Sequence, residues 1–104
     1  MNLNIDLIYS FKVTIIMQDD VNFLNHCINI LDDESNNEEL LREIHNKLKI
    51  FTPSNMPQID TDIIWDRAWK SCPDNIVDRP PASEIRKCDM LFCKRLLQKI
   101  PFYD

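Results

Sequence analysis

Residues 35–51 read Ser-Asn-Asn-Glu-Glu-Leu-Leu-Arg-Glu-Ile-His-Asn-Lys-Leu-Lys-Ile-Phe, and this stretch decides the fold class. Leu40, Leu41, Ile44, Leu48 and Phe51 recur at three- and four-residue steps, which is one face of an α-helix. Ser35-Asn36-Asn37-Glu38 matches the capping box, in which a serine oxygen takes the third amide and the glutamate reaches back. Glu38 stands four residues before Arg42 and Glu43 four before Lys47, the favourable order for helix ion pairs. The spacing predicts a helix over 35–51.

The same period extends outward on both sides. Upstream, Val21, Leu24, Ile28 and Leu31 form a stripe widened by Phe23 and Cys27, which predicts a helix over 18–31 with Asp19 or Asp20 at its start. Downstream, Pro53 and Pro57 make 52–59 a loop, because each proline disfavours helix in the residue before it. Ile64, Trp65, Ala68, Trp69 and Cys72 share one side of a third predicted helix over 60–72, stopped by Pro73. Residues 73–81 hold three prolines and read as an extended surface loop. Ile85, Cys88, Phe92, Leu96 and Ile100 mark a last helix over 82–100 that opens near Pro81 and ends at Pro101. The predicted core is Val21, Leu24, Ile28, Leu31, Leu41, Ile44, Leu48, Trp65, Trp69, Phe92 and Leu96.

The N-terminus departs from this pattern. Every odd position from Leu3 to Met17 is apolar, and most even ones are polar. That alternation, rich in Ile, Val, Tyr and Phe, reads as a strand. Leu3, Leu7, Phe11 and Ile15 also line up four apart, the helical alternative. A lone strand leaves its backbone groups unpaired, so it would pair with its twin in a homodimer, add to a partner's sheet, or extend upstream of the folded unit. The expected fold is therefore mainly α: about four short helices in a small orthogonal or irregular bundle, preceded by an N-terminal β-strand or extended arm. The expected organisation is an arm over 1–17 and a single small helical domain over 18–104.

Composition narrows the chemistry. The 104 residues contain no glycine and six prolines, with 44% hydrophobic and 28% charged side chains. Without glycine there are no cheap turns with positive φ, which argues against a hairpin-rich β fold. Glycine-rich phosphate loops and the dinucleotide fingerprint are excluded as well. No run reaches the roughly 18 apolar residues of a membrane span. No secretory signal is recognisable, so an intracellular setting, cytoplasmic or nuclear, with reduced thiols is expected.

Candidate catalytic and metal sites fail on geometry. Cys88 and Cys93 are the only near cysteine pair, and five helical positions set them roughly 140° apart, too far round to pinch one ion. His26 and His45 lie on separate predicted helices, with no cysteine brought to either. The carboxylates of Asp32, Asp33, Glu34, Glu38, Glu39, Asp60, Asp62 and Asp66 cluster at helix starts, where the dipole accounts for them. No catalytic residue, metal, cofactor or small-molecule substrate is expected.

What remains points to partners. The net charge of −5 argues against a nucleic-acid binder over the whole surface. Its distribution is uneven: residues 1–78 carry six basic and fourteen acidic side chains, whereas 79–104 carry six basic and three acidic. Trp65 and Trp69, one turn apart, read as core or as an interface anchor. The leading expectation is a non-catalytic protein–protein interaction module, an adaptor or regulatory subunit. It would bind a protein partner or itself through Leu3, Leu7, Phe11, Trp65 and Trp69. The alternative is a nucleic-acid-associated regulator that meets an anionic partner through Arg86, Lys87, Lys94, Arg95 and Lys99.

Asp89-Met90-Leu91-Phe92, followed by Leu96-Leu97 and Ile100, resembles the opening of the BESS motif, a C-terminal protein-interaction helix pair of insect transcription regulators. The likeness covers about 16 of the 104 residues, and the motif's second half has no counterpart before Asp104. The resemblance implies a last helix that engages other proteins.

Overall fold

The computed structural model describes residues 3–70 and 80–100, with side chains from Gln18 onward. Four helical segments account for it: α1 (Leu3–Asp32), α2 (Glu38–Lys49), α3 (Gln58–Trp69) and a C-terminal helix, α4. Helix α4 runs without a break through a short α-turn at Ala82–Glu84, a π-turn at Ile85–Asp89 and an α-helix at Met90–Lys99. No strand occurs among the described residues. The backbone of α1 is helical from Leu3, along the four-residue spacing of Leu3, Leu7 and Phe11. The arm's expected contact side chains lie outside the described ones, as does most of the expected loop at 73–81.

Helix α4 is the centre of the fold and packs against the other three. Its buried residues, Ile85, Cys88, Asp89, Phe92, Cys93, Leu96 and Ile100, occupy a face wide enough to meet three neighbours. Leu24, Cys27 and Leu31 of α1 close one side, and Leu41, Ile44 and Leu48 of α2 another, with Ile64 and Ala68 of α3 on the third. The predicted stripes supply most of this core. Val21, Ile28, Trp65 and Trp69 are only partly buried and pack against its edge. Each fully buried Leu, Ile or Phe contributes about 1.5–3 kcal/mol by leaving water.

Helix α2 begins two residues later than the capping-box reading. Asn37, not Ser35, is the N-cap, and its side-chain oxygen accepts from the Leu40 amide at 2.8 Å. Ser35 instead donates both its amide (3.0 Å) and its hydroxyl (2.6 Å) to Asp33 Oδ1. Those two donors hold the exposed Asp33 carboxyl below its ordinary pKa. The competing local turn wins because asparagine caps a helix as well as serine does.

The missing glycine has a structural consequence. Helices commonly end on a left-handed glycine that satisfies their last carbonyls. Here no described residue has positive φ. Long side chains do the work instead. Arg86 reaches from α4 to the C-terminus of α1, where its Nη1 donates to the carbonyls of Leu31 and Asp33, each at 2.8 Å, and its Nη2 to that of Asn36 at 3.1 Å. Asn36 Nδ2 takes the Ile30 carbonyl at 2.9 Å. In the 52–57 loop the Ser54 amide donates to the buried Asp20 carboxylate at 2.8 Å, and Asn55 Nδ2 donates to the Ile100 carbonyl at 3.2 Å.

Candidate functional site

The polar centre of the molecule forms where three helices meet. Helix α2 supplies His45, next to Ile44 on its inner stripe, and helix α3 supplies Trp65 and Trp69, one turn apart. The π-turn of α4 supplies Asp89, which is 0% exposed. His45 Nδ1 lies 2.8 Å from Asp89 Oδ2, and Trp69 Nε1 donates to Asp89 Oδ1 at 3.2 Å. Each carboxylate oxygen thus faces a donor, which is how a buried carboxylate is normally accommodated. The contact between Nδ1 and Asp89 sets the imidazole orientation and leaves Nε2 on its other edge.

The aromatic rings build the walls. Trp65 and Trp69 stack with centroids 5.6 Å apart and planes at 27°. The His45 ring lies 5.6 Å from Trp65 and 5.1 Å from Trp69. Behind them, the Phe92 ring meets Trp65 edge-on at 4.9 Å. Lys49, one turn after His45 on α2, completes a cleft of about 40 Å³ with His45, Trp65 and Trp69. His45 is only 7% exposed, yet it is part of that lining.

Burial raises the Asp89 pKa, and the His45 and Trp69 contacts only partly offset this. Removing the carboxylate from water outweighs its pairing, as is common for buried ion pairs. Cys27 and Cys93 are fully buried in the same core. Burial pushes the Cys27 thiol up to about 11 and raises Cys93 as well. Both are protonated near neutral pH, so neither is an activated nucleophile. Among the described residues no group of three or more His, Cys, Asp or Glu is placed to hold a metal ion.

The expected site residues fall into three groups. Trp65 and Trp69 come together at the cleft. The side chains of Leu3, Leu7 and Phe11 lie outside the described residues. Of the basic set, Lys87, Lys94, Arg95 and Lys99 are exposed on α4, whereas Arg86 spends its guanidinium on the three carbonyls at the end of α1. Arg86 is thus a structural link between α4 and the α1–α2 connection.

Sequence reasoning missed the His45–Asp89 pair. A signal existed, since Asp89 sits four residues after Ile85 and three before Phe92, on the apolar stripe itself. An acid at a core position asks for a buried donor.

A second feature lies on the outside of α3. Ile59 is 68% exposed and Ile63 44% exposed, one turn apart on the same face. Ile63 also lines a cleft of about 260 Å³ with Met56, Asp60, Ile64, Arg67 and Lys99. Among the described residues no helix is long and apolar enough to cross a membrane. Comparison with known protein families, curated proteins and solved structures returns no match.

Proposed function

We propose that this chain is a non-catalytic interaction module that binds another protein, or a second copy of itself, through the outer face of α3. The observation that carries the reading is the exposure of Ile59 and Ile63, one turn apart on the outer face of α3. Other apolar side chains of α3 pack inward. Exposed apolar side chains one turn apart on a helix are the kind of surface that partner helices cover. The N-terminal arm, with Leu3, Leu7 and Phe11, is the second proposed contact.

Light scattering across a concentration series of the full chain is the first test. Self-association that is lost in Ile59→Asp/Ile63→Asp, at unchanged helicity, supports the reading in its homomeric form. A monomer at every concentration removes that form. A photo-crosslinking residue at position 63 then reads a partner of different sequence, with position 39 as control. No discrete adduct at 63 in a chain that is also monomeric overturns the reading.

The exposure of Lys87, Lys94 and Arg95 along α4 favours a second reading, contact with a nucleic acid. With Arg86 engaged, about four cations remain, so the logarithmic salt slope on duplex DNA is at most about −3.6. No binding at low salt removes this reading.

A further inference from the structure

We propose that the outer face of α3 pairs with the same face of a second copy of this chain, the two helices running antiparallel about a two-fold axis. The inference rests on the interaction reading above and names its partner.

Three observations carry it. The first is the spacing of the exposed residues. Ile59, Ile63, Asp66 and Lys70 follow one another at four- and three-residue steps, which is the seam of a helix pair, and all four are exposed. Thr61, Ile64 and Ala68 are buried on the other side of the helix, against the core. In an antiparallel pair, Ile59 of each copy meets Ile63 of the other, which makes two equivalent apolar layers. A parallel pair in register would instead bring each Asp66 and each Lys70 against its own twin, and such like-charge contacts are costly.

The second observation is the order of charge along the helix. Asp60 and Arg67 are seven residues apart, hence on one flank of the seam, and both line the cleft beside Ile63. Antiparallel helices set a flank against its own counterpart, so Asp60 of each copy meets Arg67 of the other. Arg67 is exposed and has no ion pair among the described residues. An acid at the start of the helix and a base near its end make the face its own complement, as a two-fold contact between identical chains requires. The two helix dipoles also oppose one another.

The third is shape. The cleft of about 260 Å³ opens beside Ile63, between α3 and the end of α4 at Lys99. An apolar cavity of roughly 150 Å³ takes a benzene molecule, so this cleft has room for the second copy's Ile59.

One contact counts against association and identifies the arrangement. On the opposite flank Asp62 lies close to the axis and faces its twin. In a parallel pair it would face the second copy's Arg67 instead. Neutralising Asp62 therefore acts in opposite directions in the two arrangements.

The test is sedimentation equilibrium of the full chain. Two apolar layers and two exposed ion pairs make a weak dimer, so the series extends to about 1 mM. Asp60→Lys and Arg67→Glu should each weaken self-association about tenfold or more, because each sets like charges together at both contacts. An equal mixture of the two variants should associate nearly as well as the parent, since both contacts then regain opposite charges. That rescue also shows that the variants are folded. Asp62→Asn should tighten the dimer about twofold.

A parent chain that stays monomeric to 1 mM overturns the proposal, and the crosslink at position 63 then decides whether a partner of different sequence exists. Self-association that Ile59→Asp/Ile63→Asp abolishes, but that the charge variants leave unchanged or the mixture fails to rescue, overturns the antiparallel pairing and keeps the interaction reading. Weaker association in Asp62→Asn overturns it as well, in favour of a parallel pair.

Discussion

The π-turn of α4 and the outer face of α3 invert the usual placement of side chains in opposite ways. At the π-turn a carboxylate sits in the core at 0% exposure, and at α3 an isoleucine sits in water at 68%. The first departure is partly offset inside the molecule, because His45 and Trp69 occupy both Asp89 oxygens. The second has no compensation within the described residues. The difference separates structure from interaction. A buried polar group survives only if the fold supplies its partners, whereas an exposed apolar pair costs little and needs a partner only to become useful.

The largest test of this contrast is Asp89→Ala. It leaves the donors of His45 and Trp69 unpaired in the core and should cost about 3–5 kcal/mol. Ile59→Ser/Ile63→Ser should stay within about 0.5 kcal/mol per site. Urea denaturation of the three proteins reads both, and comparable losses would break the comparison.

A middle-sized effect is expected at Arg86. Arg86→Ala removes a charged donor from three carbonyls and should cost about 1.5–3 kcal/mol. Arg86→Lys should restore little, because one ammonium cannot span the carbonyls that the planar guanidinium bridges. Full rescue by lysine would show that charge alone, and not the forked geometry, closes α1.

The smallest effect is in pH dependence, and it runs in opposite directions at two carboxylates. The Asp89 pKa is raised in the fold, so its contribution is complete below the unfolded value of 3.8 and is lost as pH rises through the folded pKa. The Asp33 pKa is lowered by Ser35, so its contribution is present above 3.8 and is lost as pH falls through the folded pKa. Stability profiles of Asp89→Asn and Asp33→Asn, each subtracted from the parent profile, should slope in opposite senses across the acid range. Parallel slopes would mean that burial does not dominate at Asp89.

Local periodicity by itself determined that the protein is mainly helical, where α2, α3, α4 and the end of α1 lie to within a few residues, and most of the core; it started α1 at 18, whereas the helix runs from Leu3. Leu24, Leu31, Leu41, Ile44, Leu48, Phe92 and Leu96 were legible because helix geometry converts three- and four-residue spacing into a buried face without reference to any other segment. Trp65 and Trp69 could be singled out, although their half-buried position could not. Tertiary structure alone decided the rest. The cap of α2 is the local exception, since Ser35 turns onto Asp33 two residues away and leaves Asn37 to cap the helix. Arg86, read as a free cation, became the closure of α1 because a glycine-free helix end left carbonyls within its reach. His45 met Asp89 across 44 residues of sequence, a separation over which no periodic signal carries. Hydrogen bonds between distant segments depend on which helix faces pack together, and that is settled only when all the apolar stripes are buried at once.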